Sequence, residues 1–190
     1  MKSENPIIKA LETITELLER MEVPYMVFGG IANSIYGNPR QTFDIDIKFF
    51  FKSDTDLDPF LDNLSMVGEI VPDDIKGFIE ETNVIPVDIH GVRVDLVFAG
   101  LPFEKEAIER SQSMVFFNIN MKVCTPEDLI IQKAVSTREK DWTDINYITE
   151  NLEDELDWSY LLKHCKDLSE LLDDPDIYSR IERKKNEKGL

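Results

Sequence analysis

Two aspartates spaced two residues apart are the first feature of this sequence that could do chemistry. Asp44 and Asp46 lie in the run TFDIDIKFF, where polar and apolar residues alternate as they do in a β-strand. Their side chains therefore point to the same side, roughly 7 Å apart at about 3.4 Å per residue. Two carboxylates this close repel each other, and a hard divalent cation with oxygen ligands would relieve the repulsion. The alternative is a solvated pair on an exposed strand.

Two glycines upstream of this strand could bring the backbone close to a phosphate. Gly29 and Gly30 follow the apolar run YMVF and precede a helix that we predict over residues 31–36. Glycine permits close approach, and a helix N-terminus offers free N–H groups with a partial positive charge. The alternative is a helix entry chosen only for its packing.

A third acidic residue, Asp95, stands inside an otherwise apolar strand predicted over residues 92–98. It follows the two glycines, the short helix, the Arg40-x-Thr42 segment and the strand of the paired aspartates. If the two strands are neighbours, the third carboxylate completes a cage for two Mg²⁺ ions.

The elements that must position these residues alternate between helices and strands before residue 125 and are helices afterwards. Besides the elements above, the patterns predict helices over 5–21, 54–68 and 103–110, strands over 25–28, 42–50 and 114–123, and one or two strands over 78–89 bent at Pro86. Thr125-Pro126 marks a capped helix start. We therefore expect two segments, an α/β core over 1–124 and a C-terminal helical segment over 125–190 packed on it.

Composition limits the classes of function. The 190 residues include 38 acidic and 21 basic side chains, and the net charge is -17. This charge argues against a protein whose affinity rests on neutralising many phosphates. With 42% hydrophobic residues the chain can still bury a core, so general disorder is excluded.

Cysteine usage and hydropathy indicate the compartment. Cys124 and Cys165 are far apart and lack the spacing of a disulfide framework or zinc ribbon. No stretch reaches the roughly 18 apolar residues that span a bilayer, and the N-terminus lacks a signal peptide pattern. We expect a cytoplasmic protein that makes no membrane contact.

The run GGIANSIYGNPRQTFDIDI, with VRVDLVF downstream, resembles the nucleotidyltransferase-fold superfamily. More narrowly it is similar to the AbiEii-type nucleotidyltransferases of abortive-infection toxin–antitoxin systems. A later segment with Glu127-Asp-Leu-Ile130, Lys133, Arg138 and Asp141 echoes a helix typical of that group. The resemblance implies an α+β (α/β) fold, with a mixed β-sheet, flanking helices and a C-terminal helical segment.

The resemblance also implies roles for individual residues in a metal-dependent transfer of a nucleoside monophosphate from an NTP to a hydroxyl-type acceptor. Asp44, Asp46 and Asp95 would be catalytic and would bind two Mg²⁺ or Mn²⁺ ions, and Asp95 could act as the base. Nucleotide contacts would come from the following residues: Gly29, Gly30, Ser34, Arg40 and Lys133.

Several alternatives stay open. Arg40 is equally suited to a turn or to an ion pair with Asp44, and Asp141 and Asp144 are more typical of solvated or Arg138-paired residues. The acceptor can be a small molecule, a protein or a tRNA end. An antitoxin-like partner is a further expectation. A different class of function is a catalytically silent nucleotide-binding or regulatory protein of the same fold.

Overall fold

The computed structural model describes residues 5–37, 41–53 and 56–187. Contacts divide the chain into two compact units, one made of Met1–Ala32 and Arg40–Cys124, the other of Asn33–Pro39 and Thr125–Leu190. The strands are β1 (Tyr25–Val27), β2 (Asp44–Phe49), β3 (Glu69–Ile70), β4 (Val84–Ile89), β5 (Val92–Phe98), β6 (Gln112–Phe116) and β7 (Ile119–Val123). The helices are α1 (Pro6–Arg20), α2 (Gly29–Ile35), α3 (Leu57–Ser65), α4 (Ile75–Thr82), α5 (Pro102–Arg110), α6 (Pro126–Ala134), α7 (Glu139–Asn151), α8 (Trp158–Leu172) and α9 (Pro175–Glu187).

The first unit is built on a seven-stranded mixed sheet in the order β3-β4-β5-β2-β1-β7-β6. β2 is parallel to β5 and antiparallel to β1, and β1 is parallel to β7. The remaining neighbours are antiparallel. This architecture, with its flanking helices and the helices α6 to α9 after Cys124, confirms the predicted fold class.

Helix α1 forms one covering layer of the sheet. Its apolar stripe is fully buried against β2, β4, β5 and β7: Ala10, Leu11, Ile14, Leu17 and Leu18. The helix starts where the Asn5 side chain accepts a hydrogen bond from the Ile7 N–H at 3.1 Å. The three- and four-residue spacing of the stripe, visible in the sequence, is the cause of this packing.

Strand β2 has one buried apolar face and one polar face. Ile45, Ile47 and Phe49 are fully buried. On the other face, Lys48 is buried and pairs with Glu104 of α5. Glu104 also accepts hydrogen bonds from the backbone N–H groups of residues 100 and 101 at 2.8 and 2.9 Å. The far end of the polar face is thus covered by α5, and its near end carries the aspartates.

Three elements differ from the sequence-based expectation: α4, the β6–β7 hairpin and the two-residue strand β3, which no pattern predicts. The range 78–89, where one or two strands are expected, contains one strand, β4, and residues 75–82 form α4. This helix has an Asp74 cap that accepts from the Gly77 N–H and ends at Asn83 in the left-handed region. The expected strand over 114–123 is a hairpin of β6 and β7, which turns at Phe117 and Asn118 with positive φ at both.

The second unit is helical after residue 124. Helix α6 begins as expected, with the Thr125 hydroxyl accepting from the Asp128 N–H and proline in the first turn. Cys124, in the first unit, and Cys165, in α8, are both buried cysteines outside any disulfide, and burial raises the pKa of Cys165 to about 12. In the described part of the chain, no helix has the length and apolar character needed to cross a membrane.

Candidate active site

The three predicted catalytic aspartates share one face of the sheet. In the parallel pairing of β2 with β5, Asp46 lies directly beside Asp95, and Asp44 lies beside Arg93. Residues that are partners in register, or two apart on one strand, point to the same face. Asp44 is exposed, while Asp46 and Asp95 are half-buried. The expectation that Asp95 stands on a strand adjacent to the paired aspartates is therefore met by the sheet.

The two glycines lie against the start of this face. Gly29 has φ +60°, and a Cβ at this position would collide with the carboxylate of Asp46. A Cβ on Gly30 would collide with the hydroxyl of Thr42. The backbone N–H of Phe28 also donates to the Asp46 carbonyl at 3.0 Å. Only glycine permits both the left-handed backbone and the close approach at residue 29.

Arg93 was missed as a candidate site residue. Its Nε donates to both carboxylate oxygens of Asp95, at 2.9 and 3.0 Å. The hydrogen bond and charge of Asp95 raise the pKa of Arg93, and the charges of Asp44 and Asp46 act in the same direction. A signal was available, because Arg93 stands two residues before Asp95 on a predicted strand and must share its face.

The chemistry of the carboxylate set suits a hard divalent cation, although the side chains are not already gathered around one point. Within the described ranges, no three His, Cys, Asp or Glu side chains have the arrangement of a metal site. Asp44 accepts from the Thr42 hydroxyl at 3.1 Å, and Asp95 accepts from Arg93. A carboxylate has about four acceptor positions, so these bonds leave oxygen lone pairs available. The donor set fits Mg²⁺ if Asp95 divides its oxygens between Arg93 and the cation.

Lys133 lies in the second unit, in a buried ion-pair cluster. Its ammonium donates to Asp141 at 3.1 Å and to Asp144 at 2.7 Å, and all three residues are almost fully buried. Asp141 also accepts from Ser136 and Arg138, both at 2.7 Å. The two aspartates are therefore buried rather than solvated, because Lys133 supplies a counter-charge in the interior.

The two remaining residues that are predicted to contact the nucleotide are Ser34 and Arg40. Ser34 is half-buried on α2, and Arg40 lies outside the described residues. One residue of the second unit was overlooked, since the Asn33 amide donates to Asp144 at 3.2 Å in the interior. Its sequence signal, a polar residue on a short helix after two glycines, is too common to identify it.

A cleft of about 740 Å³ lies elsewhere in the first unit. Its lining includes Glu19, Tyr25, Phe50 and Lys122. Tyr25 and Phe49 are partners in the antiparallel β1–β2 pairing, so this cleft lies at the end of the sheet opposite Asp44. The residues that line this cleft do not include Asp44, Asp46 or Asp95.

Solved structures of similar fold include the antibiotic-resistance factor ANT(2'')-Ia, at 14% identity and a TM-score of 0.51, over 77% of this chain and 84% of that one. An antigenic nucleotidyltransferase-like protein from Paracoccidioides brasiliensis matches at 15% identity and a TM-score of 0.52, over 93% and 91% of the two chains. JHP933 from Helicobacter pylori matches at 15% identity and a TM-score of 0.51, over 97% and 94%. At these identities the likeness concerns the fold.

Sequence comparison identifies the family. No curated protein matches this chain significantly. The profile of a family described as "Nucleotidyltransferase of unknown function (DUF6036)" matches residues 5–185. That match covers both glycines, all three aspartates and the helices after residue 124. The chain therefore belongs to the DUF6036 family of nucleotidyltransferases.

Proposed function

We propose that this protein transfers a nucleoside monophosphate from an NTP to a hydroxyl-type acceptor, with Mg²⁺ or Mn²⁺ and with release of pyrophosphate. The observation that carries the proposal is the register of β2 and β5, which sets Asp46 beside Asp95 on the face that also bears Asp44. The approach of Gly29 to the Asp46 carboxylate adds to it, because a phosphate-binding backbone would lie next to the metal ligands.

In this proposal Asp44, Asp46 and Asp95 hold two divalent ions. When bound, the ions would supply positive charge to the entering and leaving oxygens of the displacement. The backbone at Gly29 and Gly30 would bind the triphosphate. Ser34, Arg40 and Lys133 are further proposed nucleotide contacts, and Lys133 would have to exchange a carboxylate partner for a phosphate oxygen.

The reaction is an in-line displacement at the α-phosphorus. The acceptor oxygen forms a bond to this phosphorus while the bond to the oxygen that bridges the α- and β-phosphates breaks. Pyrophosphate leaves with the electron pair of the broken bond. A carboxylate oxygen of Asp95 accepts the proton of the attacking hydroxyl.

The biological setting is a finer part of the same proposal. The sequence resemblance to AbiEii-type proteins supports a role in a toxin–antitoxin pair, with an antitoxin-like partner. The acceptor would then be a small molecule, a protein or a tRNA end. The net charge of -17 weighs against a large nucleic-acid surface, although it permits contact with a single strand end.

Calorimetry tests the nucleotide and metal requirement. Each NTP is titrated into the protein with and without Mg²⁺, and the double variant D44A/D46A is compared with the wild type. We expect Mg²⁺-dependent binding of at least one NTP, weakened at least tenfold in the double variant. Equal binding by both proteins, with or without the metal, would contradict the proposal.

A second candidate, a nucleotide-binding regulator without turnover, is favoured by one observation, the hydrogen bonds by which Arg93 occupies both oxygens of Asp95. Incubation with α-³²P-labelled NTPs and a panel of acceptors separates the two functions. Label transfer that is lost in the D95N variant supports the transferase. Binding of the NTP without transfer to any acceptor supports the regulator.

A further inference from the structure

Arg93 is held by one part of its guanidinium and exposes the rest. Its Nε donates to Asp95, and within the described ranges no other hydrogen bond of this side chain occurs. The side chain is 64% exposed, against 19% for Asp95. The terminal amino groups therefore face solvent on the same side of the sheet as the three aspartates.

A guanidinium that is anchored through Nε and exposed at its terminal amino groups is well suited to bind an oxyanion. Its planar fork matches the oxygen atoms of a phosphate or carboxylate, and it stays charged at all relevant pH values. The bond to Asp95 fixes the plane of the group, which lowers the entropy lost when a ligand binds. A merely solvated arginine would lack such an anchor.

Two of the three carboxylates that neighbour Arg93 accept hydrogen bonds from other donors. Asp44, its partner on β2, accepts from the Thr42 hydroxyl at 3.1 Å. Asp88, its partner on β4, accepts from the Gly91 N–H of the hairpin turn at 2.9 Å. Of the three neighbouring aspartates, Asp95 alone bonds to Arg93, and it does so through Nε. The terminal amino groups thus remain available to a ligand.

The order of strands in the sheet indicates which of the two substrates would bind near Arg93. Strand β2 lies between β1 and β5. The proposed triphosphate site at Gly29 and Gly30 follows β1, whereas Arg93 stands on β5, on the other side of the paired aspartates. An in-line displacement requires the acceptor to enter opposite the leaving pyrophosphate. The β5 side is therefore the acceptor side.

We infer that Arg93 forms an acceptor subsite for an oxyanion, so that the acceptor carries a phosphate or carboxylate group close to the attacking hydroxyl. This inference rests on the proposed nucleotidyl transfer and adds to it the chemical class of the acceptor. It is independent of whether the acceptor is a small molecule or the end of a polymer, because both can present such a group.

The test uses inorganic phosphate and acetate as probes of the subsite. The protein is first saturated with Mg²⁺ and a non-hydrolysable α,β-methylene NTP, which fills the proposed triphosphate site. Phosphate or acetate is then titrated by calorimetry. We expect saturable phosphate binding that weakens about tenfold or more in R93Q, and that is partly retained in R93K. Tighter binding of acetate than of phosphate would assign a carboxylate acceptor, and the reverse a phosphate acceptor.

Matched variants separate the possible results. R20Q removes the same charge at an exposed position at the end of α1, and it should bind the probes like the wild type. If neither probe binds to the wild-type complex, or if R93Q binds both equally well, the inference is overturned. The inference is also overturned if R93Q lowers the affinity for the nucleotide analogue and the affinity for the probe by the same factor. Arg93 would then act only through Asp95. A wild type that binds none of the Mg²⁺–nucleotide analogues instead overturns the proposed function, and the inference with it.

Discussion

Gly29 combines two requirements at a single residue, a left-handed backbone and the absence of a side chain next to Asp46. Gly91 in the β4–β5 turn has the first requirement only, with φ +77° and nothing within 4 Å of a Cβ. The two glycines therefore form a natural pair for separating backbone strain from damage to the site.

We predict that G29A lowers nucleotidyl transfer at least about 100-fold, because the new methyl group displaces the Asp46 carboxylate. Both G29A and G91A should lose about 1 kcal/mol of unfolding free energy from the positive φ. Label transfer from α-³²P-NTP and urea denaturation measure the two effects. Equal activity of G29A and G91A would contradict the assignment of Gly29 to the site.

Lys133 offers a stability prediction. Removing its charge in K133M leaves Asp141 and Asp144 buried without their shared cation, and such a loss costs about 3–5 kcal/mol. Arg138, another partner of Asp141, has a side chain that is 64% exposed. R138Q should therefore lower the free energy of unfolding by only about 1 kcal/mol or less. Urea denaturation of both variants checks the difference. A similar small cost for both would mean that the cluster is open to water.

Asp141 also makes a pH prediction. Burial alone would raise its pKa, but the hydrogen bonds from Ser136 and Lys133 and the charge of Lys133 hold it below the ordinary value of 3.8. Ionised Asp141 therefore stabilises the folded state fully above about pH 4. This contribution to the free energy of unfolding is lost as the pH falls through the folded-state pKa of Asp141. D141N should be less stable than the wild type at pH 7 and should lose less stability between about pH 4 and pH 2. Parallel acid-dependence curves would refute this.

At the scale of elements, the sequence predicts those with regular patterns. The alternation in β2 and β5 and the stripe of α1 appear in the structure nearly where they were expected. Helix α4 was missed, because Ile75, Phe78 and Ile79 have helical spacing but stand next to the strand-like run of β4. Local composition could not separate the two elements.

The candidate site was less predictable than its strands. That Asp44 and Asp46 share a face can be predicted from the alternation of one strand. The position of Gly29 and Gly30 can be predicted from the end of the preceding apolar run. That Asp46 pairs with Asp95 depends on a long-range parallel register, which no local pattern specifies. The burial of Lys133 with Asp141 and Asp144 likewise depends on how α6 meets α7.

The β6–β7 hairpin carries an unfavourable turn sequence. Phe117 and Asn118 have φ values of +48° and +67°, where asparagine followed by glycine is preferred. We predict that F117N/N118G raises the unfolding free energy by about 0.5–1 kcal/mol and the Tm by about 2–4 °C. Thermal unfolding followed by circular dichroism measures it, with V115T on the exposed strand as a control of small effect. A lower Tm than that of V115T would show that loss of the edge-to-face contact between Phe117 and Phe116, whose ring centroids lie 4.6 Å apart, outweighs the gain in the turn.

At the scale of the whole molecule, charge is the dominant property. The net charge is -17, and residues 141–176 alone carry twelve acidic and two basic side chains. Such a chain is destabilised by its own repulsion, which salt screens. An NTP, itself an anion, would be repelled by this field and should bind as its magnesium complex.

We predict that stability increases when NaCl is raised from about 0.01 M to about 0.1 M, as the Debye length falls from about 30 Å to about 10 Å. Urea midpoints at both salt concentrations measure the effect, with sucrose at matched osmolarity as a control for solvent exclusion. The association rate of the magnesium nucleotide should change little, because that complex is less anionic. A fall in stability with salt would show that attractive surface pairs outweigh the net repulsion.

Each of the two units contains one buried cysteine, so the rate at which each thiol reacts can report how often its own unit opens. Cys124 belongs to the first unit and Cys165 to the second, and both side chains are buried. A thiol reagent such as dithionitrobenzoate therefore modifies each cysteine only when its own surroundings open. Mass spectrometry of the labelled peptides yields two opening rates without any substitution. Distinct rates would support the proposed boundary after residue 124, and identical rates would mean that the chain opens as one cooperative body.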